Sequence, residues 1–198
     1  MSLQILIERG QLANLERRLT LAAGGTGREV ERAVISVQRA TFTESKRAVT
    51  SVYNLPQSRV AGPLSVRTAA SRRGFVVSGN PRPITFVSYG ARALIRGGVS
   101  VAIFRGKRRN LPGGFKARSP QGTELFWIRT GQPKRRMTRG RYAGQVREPI
   151  RPLTGPSVAD HLNNDDVRGR IVRFFRTRMT SELRRRLTRL VARGRSSE

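Results

Sequence analysis

The single histidine of this chain lies in a run of side chains able to ligate a metal or move a proton, Asp160-His161-Leu162-Asn163-Asn164-Asp165-Asp166. A nuclease-like centre could draw on these carboxylates. A transition-metal shell, however, needs several nitrogen or sulfur donors, and the chain has no second histidine and no cysteine. The same residues serve a plainer purpose at a helix entrance. Asn164 or Asp165 can cap the first backbone N–H groups, and Asp165 and Asp166 place negative charge at the positive helix end. No paired carboxylates flank a strand end, and no Ser-His-Asp set stands out. Gly24-Gly25-Thr26-Gly27 has neither the preceding strand nor the lysine of a phosphate loop, so it reads as a turn between helices. The sequence therefore predicts a protein without enzymatic activity, metal or cofactor.

Charge carries more information. The 198 residues hold 40 basic and 12 acidic side chains, a net charge of +28. Only Lys46, Lys107, Lys116 and Lys134 are lysines, so the other 36 basic residues are arginines. Guanidinium is a planar five-donor fork that pairs bidentately with phosphate or carboxylate. A coding bias toward arginine explains the ratio equally well, but it does not explain the net charge. From Ser45 through Thr123 there are 15 Arg or Lys and no Asp or Glu. Two runs concentrate the charge: Arg105, Lys107, Arg108 and Arg109, then Lys134, Arg135, Arg136, Arg139 and Arg141. Both fall in stretches that read as loops, Gly106–Gly114 and Gly131–Gly144. Each could reach phosphate or an acidic neighbour, or simply be solvated.

The elements that must position these runs follow from periodicity. A hydrophobic fraction of 37% suits one core rather than a large enzyme. Ile5, Leu12, Leu15 and Leu19 repeat at helical spacings and predict a first helix. Val30, Val34, Val37, Thr41, Ala48, Val52 and Tyr53 predict a second, from about Arg28 to Tyr53. Pro56 can open a short third helical turn that Pro63 stops. From Leu64 to Ile150 the period changes to that of strands: Ser65–Thr68, Gly74–Ser78, Ile84–Tyr89, Val99–Phe104 and Glu124–Arg129, with Gln145–Ile150 closing a hairpin on the Trp127 strand. Phe75, Phe86, Phe104, Phe126 and Trp127 have apolar neighbours and read as core rather than as base-stacking platforms. Any nucleic-acid contact should then be to backbone, without sequence reading.

The last part gives the clearest signal. Val167, Ile171, Phe175, Met179, Leu183, Leu187 and Val191 recur at every fourth position, with Gly194 after the last turn. They predict a helix of about 27 residues, close to 40 Å long. No window approaches the roughly 20 apolar residues of a membrane span, and the Ile5-Leu6-Ile7 run is too short for a secretory leader. The expected place is a cytoplasm or a particle assembled in one. The expected architecture is α+β, one unit over 1–198. A helical part (1–55) and a C-terminal helical part (156–194) flank a small antiparallel sheet (64–150) carrying basic loops at 106–114 and 131–144.

Two stretches then resemble a known family. Leu111-Pro112-Gly113-Gly114-Phe115-Lys116-Ala117-Arg118 leads into Leu125-Phe126-Trp127-Ile128-Arg129. Val146-Arg147-Glu148-Pro149-Ile150-Arg151-Pro152-Leu153 and Gly155-Pro156 lead into the Arg-rich helix with Met179-Thr180-Ser181-Glu182-Leu183-Arg184-Arg185-Arg186-Leu187. Together with the helical start up to Leu55-Pro56, these segments resemble the minor tail protein Z family of lambdoid phages. The resemblance implies an α+β tail completion protein of the head–tail junction, or neck. It implies a homo-oligomer, commonly a six-membered ring, between the tail terminator or tube protein and the head connector, through which genomic dsDNA passes. It also implies a place in the virion, assembled in the bacterial host cytoplasm, with no membrane partner. Phe115, Phe126, Trp127, Ile171, Phe175, Met179, Leu183 and Leu187 are then the expected core and subunit-packing residues. The basic loop after the Trp127 strand is longer than the family's, which leaves open whether it faces DNA or an acidic connector. A non-specific DNA- or RNA-binding protein is the competing reading. The free protein is expected to be a monomer or weak oligomer, because like charge opposes self-assembly.

Overall fold

A computed structural model of the chain describes residues 2–6, 26–69, 74–140 and 142–195. Its fold is α+β: strands from the middle of the chain lie against two long helices. Helix α1 (Thr26–Val52) is followed by the short α2 (Gln57–Ala61), and α3 (Val158–Asn163) leads into α4 (Asp165–Arg195). Pro56 occupies the N-cap of α2, its φ of −71° already suited to helix entry. Asn164 caps α4 as its sequence position suggests: its Oδ1 accepts the N–H groups of Asp166 and Val167 at 3.1 and 3.3 Å. The helix runs on through Gly194 to Arg195, past the predicted stop.

The every-fourth stripe explains how α4 is held. Val167, Ile171, Phe175, Met179 and Leu183 are all buried, while the side chains of Leu187 and Val191 lie outside the described residues. The stripe packs on α1, whose Val30, Ala33, Val34, Val37, Ala48 and Val49 are buried in the same cluster. Two ion pairs fix the helices antiparallel. Arg170 Nε meets Glu44 Oε1 at 2.7 Å near one end, and Arg186 Nη1 meets Glu29 Oε2 at 3.2 Å near the other.

Strands β1 (Ser2–Leu6), β2 (Leu64–Thr68) and β3 (Gly74–Gly79) form an antiparallel sheet in the order β1-β3-β2. Alternation along β3 sends Phe75 and Val77 into the core, where the Phe75 ring meets Phe175 edge-on at 4.6 Å. Gly79 ends β3 where α3 crosses it, because a Cβ there would come within 2.7 Å of the Ala159 nitrogen. Next come β4 (Ile84–Thr85), a 3₁₀ turn at Phe86–Tyr89, and β5 (Arg92–Ala93), β6 (Val99–Phe104) and β7 (Lys107–Leu111), sheeted in the order β5-β6-β7. A third sheet, β12-β9-β8, is built from β8 (Gly114–Arg118), β9 (Glu124–Arg129) and β12 (Ile150–Pro152). Two-stranded ribbons join β10 (Arg135–Arg136) to β11 (Val146–Arg147) and β13 (Thr154–Gly155) to β4.

Several expectations need correcting. Ile5 does not begin a helix but pairs with Phe75 as β1 joins the sheet, and Leu12, Leu15 and Leu19 lie outside the described residues. Thr26 and Gly27 belong to the first turn of α1. The supposed loop Gly106–Gly114 holds β7, an edge strand so charged that its composition hides it, since lysine and arginine guard an exposed edge from further pairing. Only Ile84 and Thr85 of the Ile84–Tyr89 stretch are extended. The partner of β9 begins at Ile150 rather than Gln145, with Pro152 opposite Trp127, and Val146-Arg147 pairs with Arg135-Arg136 instead. Phe104 is exposed rather than core, its ring 5.1 Å from Tyr53 at the end of β6.

Candidate functional site

The first basic run is mounted on a braced hairpin. Arg105 donates its backbone N–H to the carbonyl of Val52 at 2.9 Å, and Asn54 donates to the carbonyl of Ile103, so the end of α1 holds β6 in place. Lys107 pairs across from Phe104, and Arg109 from Val101. Arg108 folds back over β6: its guanidinium donates to the carbonyl and hydroxyl of Ser100 and to the carbonyl of Gly90, at 3.3–3.4 Å. Arg105, Lys107 and Arg109 are exposed, with no ion pair among the described residues.

The second run is held less firmly. Lys134, Arg135, Arg136 and Arg139 are all exposed, and Arg141 lies outside the described residues. Arg135 and Arg136 form β10, and the register sets Arg135 directly opposite Arg147. Like charges facing each other across a ladder destabilise it. The Arg147 guanidinium instead lies 3.9 Å from the centre of the Tyr142 ring, a cation–π contact that leaves Arg135 facing solvent. Backbone bonds between Met137 and Gln145 and between Gly144 and Met137 close the ribbon's tip.

Carboxylates are placed elsewhere. Glu182 is almost fully buried on α4 and accepts hydrogen bonds from Arg185 and Arg186, which hold its carboxyl below the usual range. Glu29 and Glu44 bridge α1 to α4, Asp165 pairs with Arg168, and Lys116 pairs with Glu124 at 2.6 Å. Most of these acids fasten helices, whereas Glu124 pairs within the β8–β9 hairpin and Glu148 accepts the Gly131 N–H at 2.8 Å beside the second basic run.

The predicted packing residues divide into two groups. Phe126 is buried, as are Ile171, Phe175, Met179 and Leu183. Phe115 and Trp127 are half-buried. Their neighbours explain why: Arg129 lies over the Phe115 ring at 5.8 Å, and the Trp127 indole donates to the Ala117 carbonyl at 3.1 Å.

The polar run around His161 proves to be a helix entrance with one surprise. Ser157 and Asp160 close a reciprocal capping box on α3, and the Ser157 hydroxyl and N–H hold the Asp160 carboxyl below its ordinary range. The Ser157-x-x-Asp160 spacing could have revealed it in the sequence. Asp165 and Asp166 are exposed in the first turn of α4. His161, however, is fully buried, its ring 3.7 Å from that of Tyr53 and its Nε2 2.7 Å from the Tyr89 hydroxyl. The Tyr89 hydroxyl also lies 2.8 Å from the Pro156 carbonyl, which only accepts. Its one proton therefore goes to Pro156, and Nε2–H donates to the phenol oxygen. Nδ1 is left as a lone pair without a partner among the described residues. Burial pushes the imidazole down to about 4, so it is neutral at pH 7, and burial also raises both tyrosines. The Val158-His161-Leu162 spacing is that of a buried helix face, a signal weaker than the polar residues around it. Among the described residues no group of three or more His, Cys, Asp or Glu could hold a metal ion, and no helix is long and apolar enough to cross a membrane. Compared with protein-family models, curated proteins and solved structures, the chain matches none of them.

Proposed function

We propose that this chain is a structural tail completion protein at the head–tail junction of a long-tailed phage. In this reading several copies, six by the resemblance, form a ring on the end of the tail tube, join it to the head connector and let genomic dsDNA pass. The observation that supports it best is the sorting of charge. Glu29, Glu44 and Glu182 are held by arginines within the helical layer, while two hairpins carry exposed guanidinium and ammonium groups toward solvent. A protein of this kind is completed by anions from outside, and a neck offers both DNA phosphates and acidic faces of neighbouring rings. The family-like segments fall on the sheets and their exit: Leu111–Arg118 covers the end of β7 and all of β8, and Val146–Pro156 runs from β11 to the entrance of α3.

Tagged-density or immunogold localisation in purified particles, with copies counted by quantitative mass spectrometry, tests this. About six copies at one spot between head and tail are expected. Many copies inside the head, or none in any particle, would overturn it and favour non-specific nucleic-acid binding. That alternative draws on the Arg135–Arg147 opposition, which a phosphate between the two would relieve. It predicts tight duplex binding by the isolated protein, with log K falling by about 0.9 per contacted phosphate for each tenfold rise in salt.

A further inference from the structure

The β5–β6 hairpin carries a feature the basic runs do not share. Between Ala93 and Val99 the chain turns through Leu94-Ile95-Arg96-Gly97-Gly98, and two backbone bonds lock the turn. Leu94 N–H donates to the Gly98 carbonyl at 3.0 Å and Gly97 N–H to the Leu94 carbonyl at 3.1 Å. Gly97 and Gly98 have φ of +84° and +99°, which side chains rarely adopt, so the turn depends on both. At its apex Ile95 is fully exposed, and Leu94 is exposed beside it. Arg92 and Arg96 flank the apex without an ion pair among the described residues, and Arg108 is anchored at the base by Ser100 and Gly90. A shallow groove of about 580 Å³ runs beside the apex between these arginines and Ser100.

We propose that this turn is a docking knob for a different protein chain, one that offers an apolar pocket rimmed by carboxylates. An ordered turn that holds a β-branched side chain wholly in water gains nothing from it within the chain. Such a side chain among arginines matches the anatomy of an interface, in which an apolar centre that becomes desolvated is surrounded by a polar rim and arginine is enriched. The groove argues for a protein rather than a duplex. A wedge between base pairs needs one projecting side chain, whereas a groove beside the knob can receive a side chain in return. The charge argues against a second copy of this chain. Among the described residues Glu29, Glu44, Glu124, Glu182 and Asp165 are already ion-paired, Asp160 closes a helix cap and Glu148 accepts the Gly131 N–H. A copy with 40 basic residues against 12 acidic ones therefore has few carboxylates left to rim a pocket. The inference deepens the tail-completion reading by naming the chemistry of one neighbour, and it rests on that reading only for where the neighbour is found.

The test places a photo-reactive benzoylphenylalanine at position 95 of the full chain, cross-links in the cells that produce it, and identifies the adduct by peptide mass spectrometry. The expected adduct is with a segment of a different protein that has Asp or Glu within a few residues. Arg92→Glu with Arg96→Glu should lower its yield at least tenfold, and Arg92→Lys with Arg96→Lys should keep it. An adduct with nucleic acid, with another copy of this chain or with a segment lacking carboxylates would overturn the proposal. So would the absence of any adduct, or a yield that charge reversal leaves unchanged. Particle localisation is read separately. The expected adduct found outside particles supports the knob and sinks the neck reading, whereas a chain located in the neck but without the adduct does the reverse.

Discussion

The α1–α4 layer and the hairpins around β7 and β10 use arginine for opposite ends. In the helical layer Arg170 and Arg186 each find a carboxylate on the other helix, and Glu182 is enclosed by two guanidinium groups. Charge there is internal wiring, laid over an apolar stripe that supplies most of the cohesion. In the hairpins Arg135 stands opposite Arg147, and Arg105, Lys107 and Arg109 face solvent. The helical layer also keeps exposed arginines with no ion pair among the described residues, Arg173, Arg178 and Arg184 on α4. Both halves thus leave positive charge for an outside anion, and only the helices also use it to fasten one element to another. The difference lies not in the arginines but in which of the described acids stand beside them.

Substitutions should separate the two halves by size of effect. Phe175→Ala removes the ring that meets Phe75 in the core, and urea denaturation should register a loss of about 3–5 kcal/mol. A loss below 1 kcal/mol would mean that the helical layer is not held as described.

Acid should act next. His161 is neutral when folded, with a value near 4, and ordinary when unfolded, so the unfolded chain takes up a proton first. Its contribution is complete above about pH 6.5 and lost as pH falls toward 4. Between pH 7 and 4.5 the fall should be about 2–3 kcal/mol, and His161→Gln should flatten it. The lowered carboxyls of Asp160 and Glu182 contribute stability above their unfolded values and lose it only at lower pH, so they leave most of this window to the imidazole. A flat profile between pH 7 and 4.5 would place the histidine outside the core.

Glu182→Gln keeps the shape but discards the charge that Arg185 and Arg186 share, and should cost about 2 kcal/mol by thermal or urea unfolding. The matching change in the other half should go the opposite way. Arg135→Ala removes a like-charge opposition and should leave stability unchanged or raise it by a few tenths of a kcal/mol. Equal losses from these two variants would erase the distinction between the halves.

Much of the helical half was legible from spacing alone. The every-fourth stripe from Val167 names the buried face of α4, and Asn164 marks its start. The strands at Ser65, Gly74, Val99 and Glu124 were equally plain, because β-branched and aromatic residues there alternate between turn signals. Harder cases are those in which a local pattern competes with a distant partner. Ile5 has helical spacing to Leu12, yet its strand is specified by hydrogen bonds to β3, a partner supplied from beyond α1. β7 has almost no strand propensity in Lys107-Arg108-Arg109-Asn110-Leu111, and pairing with β6 overrides this. Of the basic candidates, the structure sets Arg108 apart by folding it onto Ser100 and Gly90. Nothing in the sequence distinguishes it from Arg109.

By itself the sequence determined the class of the molecule, because hydrophobic period and charge balance are local sums that folding does not alter. It determined that α4 would be a long helix with one buried face, and that the protein would carry a large positive charge seeking anions. Only the tertiary structure decided which residues share that burial and that charge. Three sequence-distant residues, Tyr53, Tyr89 and His161, meet in one closed site, and Ile95 is left alone at a turn. Those outcomes depend on which surfaces exclude water from one another. Exclusion is a property of pairs brought together across the chain, and no single stretch of sequence contains it.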